Sequence, residues 1–140
     1  MTAGYSGTPL TKKLGIKAGA RVALIAAPGD FAATLGELPD GVAIRRQARG
    51  PVDVTVAFFV RRAALAKRLP ALRDALDPAG GLWIAWPKRA SGVETDLGEG
   101  EIRRLGLEAG LVDNKVCAID ETWSGLRFVY RVVDRPGVSR

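Results

Sequence analysis

The sequence predicts an α/β domain with a mostly parallel sheet and a C-terminal antiparallel hairpin. Arg21–Ala27 is apolar almost throughout, and Asp53–Val60 is rich in β-branched and aromatic residues. The stretch from Gly80 to Lys88 holds five consecutive apolar residues between two glycines and a proline, as a buried central strand would. Strands that lack polar alternation are typical of parallel sheets covered on both faces. Helical patterns separate these three strands, which predicts a sandwich of three layers.

The predicted helices follow from start, stop and spacing signals. Thr8 and Pro9 open the first helix and Gly15 closes it, while Asp30 can cap a short helix over Phe31–Leu38. Arg61–Leu76 carries leucines at 65, 69, 72 and 76 on one helical face, with a kink or restart expected at Pro70. The last predicted helix is Gly98–Ala109.

Three further strands are predicted from shorter patterns. Val42–Arg46 alternates weakly and is expected at the sheet edge. About six residues connect it to the next strand, whereas a parallel crossover usually takes a dozen or more, so it is parallel only if short. The alternative is an antiparallel strand, or barely a strand. Lys115–Ile119 and Leu126–Val133 form the hairpin, and residues 1–140 form one domain with a loose tail at 134–140.

Composition restricts the function more by what it lacks than by what it contains. The chain has no histidine, which excludes Ser-His-Asp and Cys-His catalysis and removes the commonest zinc ligand. Its net charge is +6, but the arginines are scattered and aromatic residues make up only 6%, so we expect no specific nucleic-acid partner. One cysteine excludes an internal disulfide and suits the cytoplasm. No apolar run has the length of a membrane span, and we expect neither a signal peptide nor a membrane partner.

Two resemblances follow from longer motifs. The segments YSGTPL and KKLGIK near the N-terminus, AWPK at 85–88 and DNKVCAIDETWSGLR at 113–127 together resemble a bacterial family of unknown function. More distantly, the order of elements resembles a shortened class I S-adenosylmethionine-dependent methyltransferase, a Rossmann-like fold. In that comparison LDPAGGLWIAWP at 76–87 stands for the "LxPGG" turn with its strand, and residues 115–133 stand for the terminal hairpin.

The chain departs from the methyltransferase pattern at the positions that hold the cofactor. Ala26–Asp30 follows the first strand with one glycine and a proline, where the resemblance implies a glycine-rich loop. Arg45, Arg46 and Gln47 stand where it implies an acidic residue that holds the ribose hydroxyls. The dinucleotide motif GxGxxG and the P-loop motif are also absent. The sequence therefore predicts no cofactor and no tight binding of S-adenosylmethionine.

The candidate site lies where ligands bind in open α/β sheets, outside the carboxyl ends of the strands. We expect a shallow cleft with Lys88 as its cation, Ser91 and Thr95 as hydroxyl donors and Trp123 as an apolar wall. Pro28 ends the first strand at the same edge, and Asp96 and Glu121 bring negative charge to it. Ser91, Thr95 and Asp96 have an alternative role, which is to cap the helix that follows them. Cys117 lies in the middle of a strand and is predicted to be a buried, inert thiol.

No catalytic residue set and no metal site emerges, so the sequence favours a non-catalytic protein that binds a small ligand or regulates, rather than an enzyme. Lys88 and the neighbouring Arg89 favour an anionic small molecule as the ligand. Two alternatives remain open. One is a degenerate or atypical methyltransferase-like enzyme, and the other is an interaction module, such as a homodimer formed through an edge strand.

Overall fold

Six strands form one mixed sheet in the order β2-β1-β3-β4-β6-β5 in the computed structural model, which describes residues 8–131. β1, β2, β3 and β4 are parallel, whereas β6 is antiparallel to both of its neighbours. The strands are β1 Arg21–Ile25, β2 Ala43–Arg45, β3 Val52–Phe58, β4 Leu76–Pro87, β5 Leu111–Ala118 and β6 Trp123–Tyr130. The helices are α1 Leu10–Leu14, α2 Phe31–Leu35, α3 Arg62–Ala75 and α4 Glu99–Glu108, with a 3₁₀ turn at Arg89–Ser91. The predicted sandwich with a terminal hairpin is confirmed.

Alternation along the strands divides the core between the two faces of the sheet. Ile84 and Leu82 point towards α3 and α4, which bury Leu69 and Ile102 on that face. Trp83 points to the other face, where its indole nitrogen donates to the carbonyl of Leu14 at 3.0 Å and so fixes the end of α1. Because both faces of the sheet are covered, residues 82–86 of β4 are all apolar, and even the polar Thr55 of β3 is buried.

The edge strand β2 settles the alternatives for Val42–Arg46. It is parallel to β1, with Ala43 opposite Arg21 and Arg45 opposite Ala23, and it is only three residues long. Six residues can extend over roughly 20 Å. Residues 46–51 can therefore return the chain to the start of β3 without a helix, because the strand they follow is so short.

Several predicted boundaries are wrong by a few residues, each for an identifiable reason. β4 begins at Leu76 rather than near Gly80. Leu76 pairs with Val52, and the register then shifts so that Val54 pairs with Gly81, which accommodates the turn-like residues 77–80 within the strand. α2 ends at Leu35 because Gly36 adopts a φ of +74°, which stops the helix. α3 runs without a restart through Pro70.

The hairpin strands are longer or earlier than predicted. β5 begins at Leu111, which is fully buried and pairs with Tyr130, and β6 begins at Trp123, which pairs with Pro87 of β4. The predicted loose tail at 134–140 lies outside the described residues. Within residues 8–131, none of the helices combines the length and the apolar character that crossing a membrane requires.

Candidate functional site

The carboxyl ends of β1, β3, β4 and β5 meet at one edge of the sheet. β5 and β4 are both antiparallel to β6 and therefore parallel to each other, as the predicted site requires. The backbone N–H of Lys88 donates to the carbonyl of Thr122 at 2.7 Å, which joins the loop after β4 to the turn after β5. Lys88 and Trp123 consequently lie at the same end of the sheet.

The hydroxyl groups in the loop after β4 are used by the backbone. Ser91 Oγ donates to the carbonyl of Lys88 at 2.6 Å and accepts from the N–H of Val93 at 3.1 Å. Thr95 Oγ1 donates to the carbonyl of Val60 at 2.6 Å and accepts from the N–H of Leu97 at 3.1 Å. Each hydroxyl has one hydrogen to donate. Neither hydrogen is therefore free for a ligand in this conformation.

Asp96 caps a helix, but not the one that follows it in the chain. Its Oδ1 accepts the backbone N–H of Arg62 at 2.7 Å, at the first residue of α3. α4 begins after Gly98 with no side-chain cap, so the predicted capping of that helix is corrected. A carboxylate at a helix N-terminus satisfies a free N–H and interacts favourably with the helix dipole. The loop after β4 is thus attached to the start of α3.

Trp123 and Lys88 share the edge but lie on different faces of the sheet. The Trp123 ring packs edge-on against Phe58 with centroids 5.0 Å apart, and Phe58 packs in the same way against Phe31 at 4.9 Å. This aromatic row belongs to the face covered by α1 and α2. Lys88 lines a cavity of about 570 Å³ beside Trp86, on the face covered by α3 and α4. The sheet therefore separates the proposed cation from the proposed apolar wall.

A larger cleft of about 1060 Å³ opens on the α1 and α2 face, between those helices and the turn after β5. Of the predicted site residues, Glu121 lines this cleft. The carboxylates at the cleft are Asp30, Glu37, Asp120 and Glu121. Within residues 8–131, no three acidic or cysteine residues lie close enough together to hold a metal ion.

Most of this cleft is not predicted by the sequence, because its walls come from separate segments. Thr11 lies in α1, Thr34 lies in α2 and Glu37 follows α2. Asp120 lies in the turn after β5, where its Oδ1 accepts two backbone N–H groups of that turn, each at 2.8 Å. The adjacent Glu121 is exposed. Two adjacent acidic residues in a turn do not by themselves predict that two helices face them.

The turn after β1 has an unusual backbone. Ala26 adopts a φ of +55°, the one positive φ among the described non-glycine residues, and it is exposed. A left-handed conformation costs an L-residue about 1–2 kcal/mol. Pro28 follows in the same turn, where its carbonyl accepts the N–H of Phe31 at 3.0 Å. Such strain clusters at functional sites, so the turn is a candidate for ligand contact.

The lone cysteine lacks the surroundings of a reactive thiol. Cys117 is partly buried in β5, and burial raises the pKa of its thiol, although Lys13 and Lys115 act in the opposite direction. A thiol needs a lowered pKa to serve as a nucleophile. The prediction of an inert thiol is thus supported by its surroundings.

Comparison with solved structures defines the fold. The chain resembles a SAM-dependent methyltransferase from Aquifex aeolicus, with 18% identity, a TM-score of 0.54 and coverage of 85% of this chain and 86% of that one. It also resembles the ribosomal protein L11 methylase of Lactobacillus delbrueckii subsp. bulgaricus, at 13% identity, TM-score 0.54 and coverage of 87% and 75%. The Methanococcus jannaschii fibrillarin pre-rRNA processing protein aligns at 12% identity, TM-score 0.58 and coverage of 88% and 69%. The chain has a methyltransferase-like fold.

No protein-family model matches the sequence, and no curated protein matches it either. The structural comparisons nevertheless correct one expectation. The sequence favours a non-catalytic protein over an enzyme, whereas the neighbouring structures named above include methyltransferases. The distant methyltransferase resemblance, drawn from the order of elements, is confirmed at the level of the fold.

S-adenosylmethionine, the cofactor implied by this fold, does not fit the residues in the expected way. In doubly wound folds an acidic residue at the end of the second strand holds the ribose hydroxyls. β2 is the second strand along the chain, and it ends at Arg45, followed by Arg46. Both arginines are exposed. Guanidinium groups donate hydrogen bonds and accept none, so the arginines at this position do not supply the acceptor that the ribose hydroxyls need.

Proposed function

We propose that the chain is an atypical methyltransferase-like enzyme. The observation that carries this proposal is a methyltransferase-like sheet with an open cleft at the carboxyl ends of its strands. Active sites of open α/β sheets lie at that edge. The strained turn at Ala26 reaches the same edge, where a reacting ligand could approach the backbone.

The cleft between α1, α2 and the turn after β5 is the proposed substrate site. Asp30, at the N-terminus of α2, makes no side-chain cap and keeps its carboxylate available. Glu121 lies opposite, in the turn after β5. A positioned carboxylate can take a proton from a reacting hydroxyl or ammonium group, which is general base catalysis. The excess of acidic groups favours a small substrate that carries an amine.

The anionic ligand expected beside Lys88 remains a separate proposal. Lys88 and Arg89 line the smaller cavity on the α3 and α4 face, together with Glu94 and Glu99. Two acidic side chains there balance the two cations. The larger cleft is therefore the stronger candidate for the substrate, and the smaller cavity is secondary.

Profiling of metabolites tests the proposal while the identity of the substrate is still open. The full chain is incubated with a small-molecule extract that contains S-adenosylmethionine with a deuterated methyl group, and mass spectrometry follows substrates and products. We expect the wild-type protein to deplete at least one metabolite. We expect the double variant Asp30→Asn, Glu121→Gln to slow that depletion by about 10²-fold or more, the usual contribution of general base catalysis.

The matched control is Glu108→Gln, an exposed residue of α4 that pairs with Arg104 at 3.6 Å and lies away from the cleft. It should react like the wild type. A product that carries the deuterated methyl group identifies methyl transfer, and an unlabelled product identifies another reaction of the same site. If no metabolite changes, or if Glu108→Gln slows the reaction as much as the cleft variant, the proposal is wrong.

A further inference from the structure

Three arginines lie within five residues at and just after the end of β2, with no acidic residue among them. Arg45, Arg46 and Arg49 lie in a stretch that has no Asp or Glu between Asp40 and Asp53. All three are exposed. The guanidinium of Arg45 donates to the carbonyl of Arg49 at 3.0 Å, and no ion pair joins any of the three to another residue within 8–131. We call these three residues the β2 arginine cluster.

Several arginines elsewhere in the fold differ, because they are paired with carboxylates. Arg62 contacts Glu101 at 3.1 Å and Arg103 contacts Asp113 at 2.9 Å. Arg21 forms a bidentate pair with Asp53. Those pairs join elements of the fold to one another. The β2 arginine cluster joins nothing to the rest of the sheet, so its charge remains available to a ligand.

The position of the cluster relative to the turn after β1 suggests its ligand. Arg45 lies opposite Ala23 in the parallel pair, two residues before the end of β1. Arg45 and Arg46 stand 19 and 20 residues after Ala26. In doubly wound folds, the residue about 20 positions after the first turn contacts the ribose, and an arginine near that position accommodates a phosphate on the ribose.

The backbone of the turn leaves room for such a ligand. A Cβ built on Gly29 would meet no atom within 4 Å, and Ala26 is exposed. We propose that the carboxyl ends of β1 and β2 bind a nucleotide that carries a phosphate on the 2′-hydroxyl of its ribose. Arg45 and Arg46 are the proposed contacts of that phosphate. Guanidinium groups bind phosphate oxygens through charge-assisted, often bidentate, hydrogen bonds. The site selects a ligand of opposite charge to S-adenosylmethionine, and it does not depend on the substrate cleft.

A free nucleotide fits better than a nucleic acid. A nucleic-acid surface needs a row of cations that follows several phosphates, together with aromatic side chains for the bases. The β2 arginine cluster covers three positions, and the described tryptophans are buried or partly buried in the fold. Three guanidinium groups are enough for the one or two phosphates of a single nucleotide, but too few to follow the phosphates of a strand.

Calorimetric titration of the full chain at 150 mM salt tests the proposal with adenosine 2′,5′-bisphosphate and with adenosine. We expect the bisphosphate to bind and adenosine to bind at least tenfold more weakly, since a hydrogen bond to a charged group contributes roughly one factor of ten or more. Arg45→Ala and Arg46→Ala should each weaken the bisphosphate by about tenfold and leave adenosine unchanged.

The matched control is Arg68→Ala, which removes the same charge from an exposed position of α3. It should bind the bisphosphate like the wild type. The wild type must bind the bisphosphate at millimolar concentration, and failure to do so overturns the site. Equal affinities for adenosine and the bisphosphate, or an equal loss in Arg68→Ala, would also overturn it. Thermal unfolding of each variant confirms that the fold is retained, and Arg46→Lys, which keeps the charge, should retain part of the binding.

Two further titrations distinguish the source of the phosphate and the sign of the charge. Arg46→Asp should lose the bisphosphate and gain affinity for S-adenosylmethionine, because a carboxylate then occupies the ribose position. An eight-nucleotide RNA should bind more weakly than the bisphosphate. If the RNA binds more tightly and loses affinity steeply with salt, the cluster is a nucleic-acid surface and the nucleotide site is wrong. None of these titrations depends on turnover, so the proposed enzyme activity can fail without affecting them.

Discussion

The loop after β4 and the turn after β1 lie at the same edge of the sheet but use their polar groups in opposite ways. In the loop after β4, Ser91 binds backbone groups of the loop itself, and Thr95 and Asp96 bind backbone groups of the neighbouring segment at 60–62. In the turn after β1, Asp30 makes no side-chain cap and Ala26 is held in a strained conformation. The first loop is built to be stable, whereas the second bears a cost in stability and leaves its polar groups available. Polar residues beside a strand end therefore do not by themselves identify a site.

The largest expected effect concerns the aromatic row that supports the edge between these two regions. Phe58 is buried at the end of β3 and contacts both Phe31 and Trp123. Phe58→Ala removes the central ring, and we expect it to lower the free energy of unfolding by about 3–5 kcal/mol. Urea unfolding followed by circular dichroism measures the change. Phe58→Leu, which keeps most of the apolar volume, should lose clearly less. Similar losses in both variants would show that the volume at this position is unimportant.

The loop after β4 should be the next most sensitive region, because its side chains hold the start of α3. Asp96→Ala removes the cap on Arg62, and we expect a loss of about 1 kcal/mol, within the range of 0.5–2 for helix caps. The neighbouring Glu94→Ala removes only an exposed ion pair with Arg61 at 3.8 Å. Exposed ion pairs contribute between about 0 and 1 kcal/mol, so the loss should be smaller. If the two variants unfold at the same urea concentration, Asp96 is not a functioning cap.

The two regions also differ in how far the sequence could predict them. Uninterrupted apolar runs such as Leu82–Trp86 require cover on both faces, so the order of layers followed from the pattern. The polar residues at the carboxyl edge were equally visible, but their partners were not. Thr95 and Val60 are 35 positions apart, and Asp96 and Arg62 are 34 apart. Only the folded sheet brings such pairs together, so the sequence showed the donors and acceptors without showing which of them remain free.

The same limit explains the separation of Lys88 from Trp123. The sequence predicted correctly that Lys88 and Trp123 lie at the same edge, because it predicted that β4 and β5 run in the same direction. The face that each side chain occupies depends on strand register, and a shift of one residue exchanges the faces. The predicted strand Leu126–Val133 begins three residues after the observed start at Trp123. Trp123 was therefore taken for a turn residue, although it pairs with Pro87 and packs on Phe58.

The turn after β1 offers the reverse experiment, in which a substitution should stabilise the protein. Ala26→Gly relieves the left-handed conformation, worth about 1–2 kcal/mol. It also adds freedom to the unfolded chain, which costs about 0.4–1 kcal/mol. We expect a net gain of about 0.5–1 kcal/mol from these two opposing effects. Ala27→Gly has no positive φ to relieve and should be destabilising. If both glycine variants lose stability, Ala26 is not strained.

The smallest expected effect is at the opposite, amino edge of the sheet. There the ion pair between Arg21 and Asp53 joins β1 to β3 and has no proposed role in ligand binding. Hydrogen bonds from the Arg21 side chain, reinforced by its backbone N–H and its charge, hold the pKa of Asp53 below its ordinary value of 3.8 despite partial burial. A lowered pKa in the folded state means that the pair stabilises the protein above that ordinary value, and that this contribution is lost as the pH falls through the lower folded pKa. The free energy of unfolding of the wild type should therefore exceed that of Asp53→Asn at pH 6, and the difference should shrink between pH 4 and pH 2. Both side chains are about one-third exposed, which keeps the effect small.

The control is Asp40→Asn, at an exposed position with no side-chain partner within residues 8–131. A difference for Asp53→Asn that does not change with pH, or that changes no more than the difference for Asp40→Asn, would show that the ion pair between β1 and β3 contributes nothing.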